Sequence, residues 1–431
     1  MRVVVIGAGP AGLAALKVFQ GLESVEELVA YEAQEEVGGT WRYTEESKSW
    51  YDSAVYDNLH TNLPPEQMMY PSMPFPEGTE RFPHHTDVQN YLLAFTERFN
   101  LRRYIRLNTS VEECSFNNGV WYLRLSDGSK READRLIIAT GHFRQPHIPS
   151  DVAIDSSIQS IHSKEYRRSK PFADKAVIVA GAGTSAFDIA CEISQVAKRV
   201  IISIRNLPSS TATKDNGEYN HLRPTRADGS TANLDVKSQI RRTGPQGLVE
   251  FNDGSVETGV DVILFCTGYD FHFPFLPQGG KTSPSTRLIE DGGAVYNLYR
   301  EMVYIPNPTL ALIGVDHKIW PFPVFEYQAT LLSLYWTNQL QLPSESEMRE
   351  YEVREASKWQ YRPGTRSSHS FGPERQFAYL TEIYNDAVSC TMTPSIPKPV
   401  LLTIEQRQKV DEERMKRFGY KEALRELFAV R

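Results

Sequence analysis

The chain has 431 residues, of which 40% are hydrophobic and 23% charged, a composition typical of a globular protein of roughly two to three domains. Its net charge of -7 argues against a nucleic-acid groove, which requires a basic face. The four cysteines lack metal-site spacing, and no run approaches the roughly 18 apolar residues of a membrane span. We expect a cytoplasmic protein with no metal; peripheral membrane contact through a basic C-terminal helix stays open.

The N-terminal residues predict a strand, a glycine-rich turn and a helix. The glycines of "GAGPAG" allow a tight turn, the approach of a pyrophosphate and close packing of helix on strand. A second predicted strand, Glu27 to Tyr31, ends at Glu32, whose carboxylate can hold ribose hydroxyls. This pattern indicates a dinucleotide-binding unit, and its expected phosphate-binding residues are Gly7, Gly9, Pro10, Ala11 and Gly12.

The next stretch predicts an excursion, a helix and a hairpin. Residues Ala33 to His85 have no clean period and are rich in Pro, Gly, Tyr and Trp, which indicates a long ordered excursion. Thr86 is then expected to cap a helix. In the hairpin, "VWYLRL" turns at "SDGS" and returns through "DRLIIATG", Asp134 to Gly141. The apolar face of the helix is Val88, Tyr91, Leu92, Phe95 and Phe99.

The second half of the chain repeats this scheme. "KAVIVAGAGTSAFDIACEIS" predicts strand, turn and helix, and "GLVEF" turns at "NDGS" to return through "DVILFCTG", Asp261 to Gly268. Both returning strands begin with Asp and end in Thr-Gly, so we infer duplication of a whole dinucleotide-binding unit. The second turn carries Gly181 and Gly183, with Ala186 as an allowed variant of the third glycine.

The strand after the second turn ends differently from its counterpart. Ser203 and Arg205 stand where the first unit has Glu32. An arginine can grip a 2'-phosphate that a carboxylate would repel, which favours NADPH over NADH. Two such units imply two nucleotides whose rings meet. One must be a flavin, because two nicotinamides would not form a useful electron-transfer pair. A disulfide reductase is excluded by the absence of a redox cysteine pair.

Several motifs resemble flavin-containing monooxygenases, a family of class B flavoprotein monooxygenases. They are "YEAQEEVGGTWRY", "LHTNLPPEQMMYPSMPFP", "IATGHFRQPHIP", "FCTGYDFHFPFL" and "IGVDHKIWPFPVFEYQA", in consistent order from about residue 2 to residue 340. The resemblance implies an α/β fold with two Rossmann-like domains, the NADPH domain inserted into the FAD domain. The expected borders are 1–162 for the first part of the FAD domain, 163–304 for the NADPH domain, and 305–431 for the second FAD part with C-terminal helices.

The resemblance also implies site residues. Asn62 is expected at the catalytic position, against retained NADP+ or the reactive edge of the flavin. Thr109 and Val111 would border the adenine of FAD. The remaining residues expected at the flavin are Gly39, Thr40, Trp41, Thr61, Thr140 and Gly141. Those expected at NADP are Thr184, Ser185, Asp188, Thr267 and Gly268.

One family motif between the two units fits poorly. The family carries Phe-x-Gly-x-x-x-His-x-x-x-Tyr/Phe/Trp, whereas this chain has "SSIQSIHSKEY". His162 and Tyr166 are present, but Ser156 and Ile158 replace the Phe and Gly. The departure leaves the docking of the two domains in question, and His162 is as compatible with a structural role as with a functional one.

The activity implied by the resemblance depends on NADPH, FAD and O2. It is the N- or S-oxygenation of a small soft nucleophile, an amine or a sulfide, through a C4a-hydroperoxyflavin, and it needs no protein base because the substrate supplies the lone pair. A Baeyer–Villiger-type or decarboxylating monooxygenase stays open. So does an uncoupled NADPH oxidase-like flavoprotein that releases peroxide. Assembly as a homodimer is also left open.

Overall fold

A computed structural model describes residues 1–46, 51–205, 224–226, 228–277, 283, 285–390, 398–399 and 403–418. In chain order the strands are β1 Arg2–Ile6, β2 Glu27–Tyr31, β3 Ile105–Arg106, β4 Val111–Asn117, β5 Val120–Leu125, β6 Lys130–Ala133, β7 Arg135–Ile138, β8 Gln145–Pro146, β9 Gln159–His162, β10 Ala176–Ala180, β11 Arg199–Ile204, β12 Leu234–Ser238, β13 Ile240–Gly244, β14 Leu248–Phe251, β15 Val256–Glu257, β16 Val262–Phe265, β17 Tyr269–Asp270, β18 Leu298–Tyr299, β19 Val303–Tyr304 and β20 Leu310–Leu312. The α-helices are α1 Pro10–Phe19, α2 Pro65–Met68, α3 His85–Arg98, α4 Thr184–Ser194, α5 Pro321–Trp336, α6 Glu345–Trp359, α7 Gly372–Val388 and α8 Ile404–Phe418.

The first unit is built on a sheet of order β18-β19-β20-β7-β1-β2-β3. From β20 to β3 the neighbours run parallel, as expected for strands such as β1 that are almost wholly apolar and buried. Helix α1 follows β1 and packs against α5. Lys17 of α1 and the buried Glu326 of α5 form a salt bridge of 2.6 Å between the two helices.

The excursion packs against this helix pair through aromatic side chains. The Tyr70 hydroxyl donates to the Pro10 carbonyl (2.7 Å), and the Tyr70 ring lies 4.1 Å from Phe95 and 5.0 Å from Phe322, measured between centroids. The excursion is therefore ordered around the first glycine turn. The expected cap of α3 is wrong, because His84 is the N-cap and its Nδ1 accepts the Thr86 N–H.

The second unit is built on a sheet of order β12-β11-β10-β16-β9, in which all neighbours run parallel. Helix α4 follows β10 as α1 follows β1. The buried faces of β10, β11 and β16 form its apolar core, with members such as Val177, Ile202 and Leu264. This second parallel sheet confirms an α/β fold with two Rossmann-type units.

Two expected hairpins are wrong in the same way. Strand β5 returns through β6 rather than through "DRLII", and β14 returns through β15 rather than through "DVILF". The strands β7 and β16 instead run parallel to β1 and β10 in the two main sheets. Both are apolar and largely buried, which is typical of a central parallel strand, whereas the true return strands are short and partly exposed.

The chain crosses between the two units at neighbouring places. Strand β8 leads out of the first unit, β17 leads back, and the two pair antiparallel. The strands change from one sheet to the other at positions slightly different from the expected domain borders, 162 and 304. Strand β9 (Gln159–His162) already lies in the second sheet, and β18 and β19 (Leu298 to Tyr304) lie in the first, because pairing partners, rather than chain order, decide membership.

The packing of α1 on β1 gives a prediction. A Cβ atom on Gly12 would lie 2.0 Å from the Gly7 carbonyl oxygen, whereas a Cβ on the exposed Gly21 would meet nothing within 4 Å. We expect Gly12→Ala to lower the free energy of unfolding by about 1–3 kcal/mol. The control Gly21→Ala should stay within about 0.5 kcal/mol of the wild type. Urea denaturation of the three proteins measures both; equal stabilities would contradict the close packing.

Candidate functional site

The first cleft lies where β1, β2 and β7 end. The expected residues Gly7, Glu32, Val111, Thr140 and Gly141 line it. Glu32 is buried, and its two carboxylate oxygens accept the N–H groups of Ala8 (2.8 Å) and Gln34 (2.9 Å). A carboxylate has about four acceptor positions, so two remain for the hydroxyls of a ribose.

Three other residues expected at the flavin, Gly39, Thr40 and Thr109, are not among the described residues that line this cleft. Gly39 has φ +56°, and a Cβ there would lie 2.9 Å from the Gly9 Cα, so the excursion crosses the first turn backbone against backbone. The Thr40 carbonyl accepts the Ser53 hydroxyl. The Thr109 hydroxyl donates to the Leu107 carbonyl (2.9 Å) and thus stabilises a turn rather than reaching into the cleft.

The second cleft lies at the equivalent ends of β10, β11 and β16. The exposed Arg205 lines it. The buried Ser203 also lines it, but its hydroxyl donates to the Ser238 carbonyl (3.0 Å) and accepts the Ile240 N–H (3.2 Å). Ser203 therefore joins β11 to the next two strands. The other expected residues along the cleft are Gly181, Gly183, Thr184, Thr267 and Gly268.

Lys318 is a cleft residue that the sequence did not single out. Its backbone belongs to the first unit, between β20 and α5, yet it lines the second cleft together with Arg205. The motif "IGVDHKIWPFPVFEYQA" contains it, but nothing in the local sequence indicates that it reaches a cleft whose other expected residues lie in the second unit. Among the described residues that line this cleft there is no carboxylate, whereas Glu32 and Asp270 line the first.

A third cleft lies between the two units. Trp41, Thr61 and Asn62 line it from the excursion, and Thr184 and Ser185 line it from the first turn of α4. The Thr61 hydroxyl donates to the Leu63 carbonyl (2.7 Å), which fixes the turn and leaves the neighbouring Asn62 side chain exposed to the cleft. Thr184 also lines the second cleft, so the second and third clefts adjoin at this residue.

The similarity of the whole chain to known proteins decides its family. A model of the flavin-binding monooxygenase-like family matches residues 1–216 and 228–407. The chain belongs to this family. It is 32% identical over 375 residues to flavin-containing monooxygenase FMO GS-OX-like 3 of Arabidopsis thaliana, covering 80% of this chain and 78% of that protein. It is 30% identical over 351 residues to the thiol-specific monooxygenase of Saccharomyces cerevisiae, covering 77% and 76%.

A solved structure gives the same result. S-allyl-L-cysteine S-oxygenase from Allium sativum matches with a TM-score of 0.79 and 27% identity, over 99% of this chain and 98% of that chain. This flavin-binding monooxygenase-like protein is thus an oxidoreductase of the flavin-dependent monooxygenase type. In the parts of the chain with a described structure, no helix combines the length and apolarity that a membrane crossing requires.

The first cleft of this monooxygenase fits the adenosine and pyrophosphate of FAD. A Cβ on Gly7 would lie 2.7 Å from the Ala139 carbonyl oxygen, and only glycine readily adopts its φ of +101°. The turn therefore lies close to the adjacent strand, and Gly7, its first residue, lines the cleft. The turn leads into α1, and the N–H groups at a helix N-terminus suit a phosphate. Together with the remaining acceptor positions of Glu32, these features match a ribose and a pyrophosphate.

The linker motif that fits the family poorly has a well-defined structure. His162 is buried; its Nδ1 accepts the Lys164 N–H (3.1 Å), so its Nε2–H donates to the Gly268 carbonyl (3.1 Å). Burial lowers the pKa of His162 to about 4. Ile158 is buried among the apolar side chains of the second unit. His162 therefore joins the linker to the Thr-Gly strand end, a structural role.

The lowered pKa of His162 gives a pH prediction. Between about pH 6.5 and 4 the unfolded state binds a proton at this residue and the folded state does not, so stability falls as pH falls. His162→Gln keeps a donor for Gly268 without titrating. We expect the plot of unfolding free energy against pH to be shallower for this variant by about one proton in that window. Parallel curves from urea denaturation would contradict the assignment.

Proposed function

We propose that this monooxygenase uses NADPH and O2 to oxygenate a soft sulfur nucleophile, a thioether or thiol, at the third cleft. The observation that carries the proposal is the position of Asn62. Its side chain is exposed in the cleft where the excursion around the first turn meets the first turn of α4. A flavin extending from the first cleft and a nicotinamide extending from the second would meet beside it.

The charges of the two nucleotide clefts support FAD in the first and NADPH in the second. The buried Glu32 of the first cleft suits ribose hydroxyls and would repel a 2'-phosphate. The second cleft has the exposed cations Arg205 and Lys318, and no carboxylate among its described lining residues. A 2'-phosphate is favoured there by charge-assisted hydrogen bonds.

The residues of the third cleft have a limited chemical task. A bound flavin supplies hydride acceptance and the activation of O2. The chain has to hold the two rings together, exclude water and offer a hydrogen bond. Trp41 and Leu63 are apolar walls of the cleft, and the Asn62 amide is a neutral donor and acceptor. A neutral amide suits this task, because the substrate supplies its own lone pair and no general base is needed.

Sulfur is favoured over nitrogen by the comparisons. One relative is named as thiol-specific, and one structural neighbour is named as an S-oxygenase. An amine substrate, a ketone substrate and an uncoupled NADPH oxidase remain as outcomes of the test. Their products differ: an N-oxide, an ester or hydrogen peroxide instead of a sulfoxide.

The deciding experiment measures how much product and how much hydrogen peroxide form for each NADPH consumed. The purified holoenzyme is supplied with NADPH, O2 and a small thioether, trimethylamine or cyclohexanone in parallel. We expect NADPH consumption to match sulfoxide formation with the thioether, with little hydrogen peroxide. If hydrogen peroxide accounts for all the NADPH consumed with every substrate, the proposal is wrong. If N-oxide or ester forms in excess over sulfoxide, the preferred substrate is an amine or a ketone rather than a sulfur compound.

Arg205 gives a prediction about the choice of nucleotide. Because its guanidinium is proposed to pair with the 2'-phosphate, Arg205→Ala should raise the Kd of NADP+ by about tenfold or more. The Kd of NAD+, which lacks this phosphate, should stay the same. Isothermal titration of both nucleotides measures the effect, with Arg199→Ala as a control on the same strand that pairs with Asp235 and Glu257 instead. Equal losses for NADP+ and NAD+ would argue against the phosphate contact.

Asn62 gives a prediction about oxygenation. Asn62→Ala removes the amide without altering the Thr61–Leu63 hydrogen bond that fixes the turn. We expect FAD content to be retained and sulfoxide formation per NADPH to fall about tenfold or more, the size typical of losing one active-site donor. Product analysis beside NADPH consumption measures this ratio. A variant with an unchanged ratio would remove Asn62 from the catalytic position.

A further inference from the structure

A partly buried hydrogen bond joins the excursion of the first unit to α4, the proposed nucleotide-binding helix of the second. Tyr56 lies in the excursion, and its hydroxyl donates to the carboxylate of Asp188 on α4. Tyr56 is only 4% exposed. Burial and the carboxylates of Asp188 and Glu192 raise the pKa of Tyr56 well above its usual value. The phenol therefore keeps its proton and serves as a donor rather than as an acid.

A second tyrosine makes a matching contact with the same helix. The Tyr166 hydroxyl donates to Glu192 Oε2 (2.7 Å), one turn beyond Asp188 on α4. The two phenol rings meet edge to face, with centroids 5.4 Å apart. Tyr166, however, lies just before β10 in the chain, close to the unit that contains α4. Of these two tyrosines, Tyr56 is the one that belongs to the excursion, so its hydrogen bond joins the first unit to α4.

The segment that carries Tyr56 is itself held firmly. The buried Arg167 donates from Nε to the Thr44 carbonyl (2.6 Å) and from Nη2 to the Ser53 carbonyl (2.8 Å). The Asp57 N–H donates to the Arg167 carbonyl (2.9 Å). The backbone on both sides of Tyr56 is thus fixed to the linker, so its hydroxyl can act as a rigid reference point for α4.

The Tyr56–Asp188 hydrogen bond lies near residues of the third cleft on both of its sides. Asn62 follows Tyr56 by six residues, and Thr184 precedes Asp188 by four, one helical turn on the same face. Tyr56, Asn62, Thr184 and Asp188 all line the third cleft. A rotation of α4 about its axis would move Thr184 away from Asn62, and the Tyr56–Asp188 bond resists that rotation.

We propose that Tyr56 is a positioning residue, which fixes α4 through Asp188 so that a nicotinamide bound at its first turn lies against the flavin beside Asn62. The inference rests on the proposed binding of NADPH to the second unit. It also revises the expected role of Asp188: its carboxylate accepts from Tyr56 and orients the helix, while the phosphates are left to the N–H groups of the first turn. Asp188 would otherwise repel a phosphate.

The test compares Tyr56→Phe with the matched control Tyr166→Phe in the holoenzyme. Each variant removes one phenol-to-carboxylate hydrogen bond from the same face of α4 and keeps the ring. We expect amide hydrogen exchange at the first turn of α4 to rise by about tenfold or more in Tyr56→Phe, the loss typical of a hydrogen bond to a charged group. In Tyr166→Phe that turn should exchange at the wild-type rate. Equal changes in both variants, or none, would overturn the proposal.

A second measurement separates positioning from general stability. Tyr56→Phe should slow reduction of the flavin by NADPH about tenfold or more while leaving reduction by dithionite unchanged, because only the former needs the two rings aligned. If the wild type is not reduced by NADPH, the proposed function fails, and the exchange comparison still tests the pairing.

Discussion

The close approach of each glycine-rich turn to the end of the adjacent strand is the constraint on which the rest of the molecule depends. A Cβ on Gly7 would lie 2.7 Å from the Ala139 carbonyl oxygen, and one on Gly181 would lie 2.4 Å from that of Cys266. Both glycines have positive φ. In each unit the contacted strand continues into Thr-Gly. The Thr-Gly pair that is repeated in the sequence therefore marks the same packing contact in both units. Each cleft opens at the carboxyl ends of its strands, as in other doubly wound sheets.

The crossing between the units is fixed at one of these strand ends. The Gly268 carbonyl accepts the N–H of His147 (2.9 Å), beside β8, and the Nε2–H of His162 (3.1 Å), in β9. The Thr267 hydroxyl donates to the His147 carbonyl. The outgoing strand, the linker and the returning strand therefore meet beside the second cleft. This explains how a linker without the family's Phe and Gly still joins the two units.

The local part of this structure could be predicted from the sequence, and the long-range part could not. The strand from Glu27 to Tyr31 and the position of Glu32 follow from hydrophobic runs and spacing, and the structure confirms them. The two hairpins were wrong because an apolar run of four residues fits a hairpin and a parallel sheet equally well. The roles of Lys318 and Tyr56 could not be predicted, because both are long-range. The Tyr56–Asp188 hydrogen bond joins residues 132 positions apart, and Lys318 lines a cleft whose other expected residues lie in the second unit. The spacing of residues in the sequence does not predict such long-range neighbours.

On the proposed binding of FAD at Glu32, the backbone donors to this residue have a consequence for how the flavin binds. The carboxylate is 1% exposed, and a buried carboxylate without donors would be costly. Because the N–H groups of Ala8 and Gln34 already bind it, the polypeptide alone stabilises the geometry of the cradle. Binding then needs little ordering of the chain, which strengthens affinity by preorganisation. On this proposal, the chain forms the geometry around Glu32 before FAD binds, and FAD binding is not required to complete the fold there.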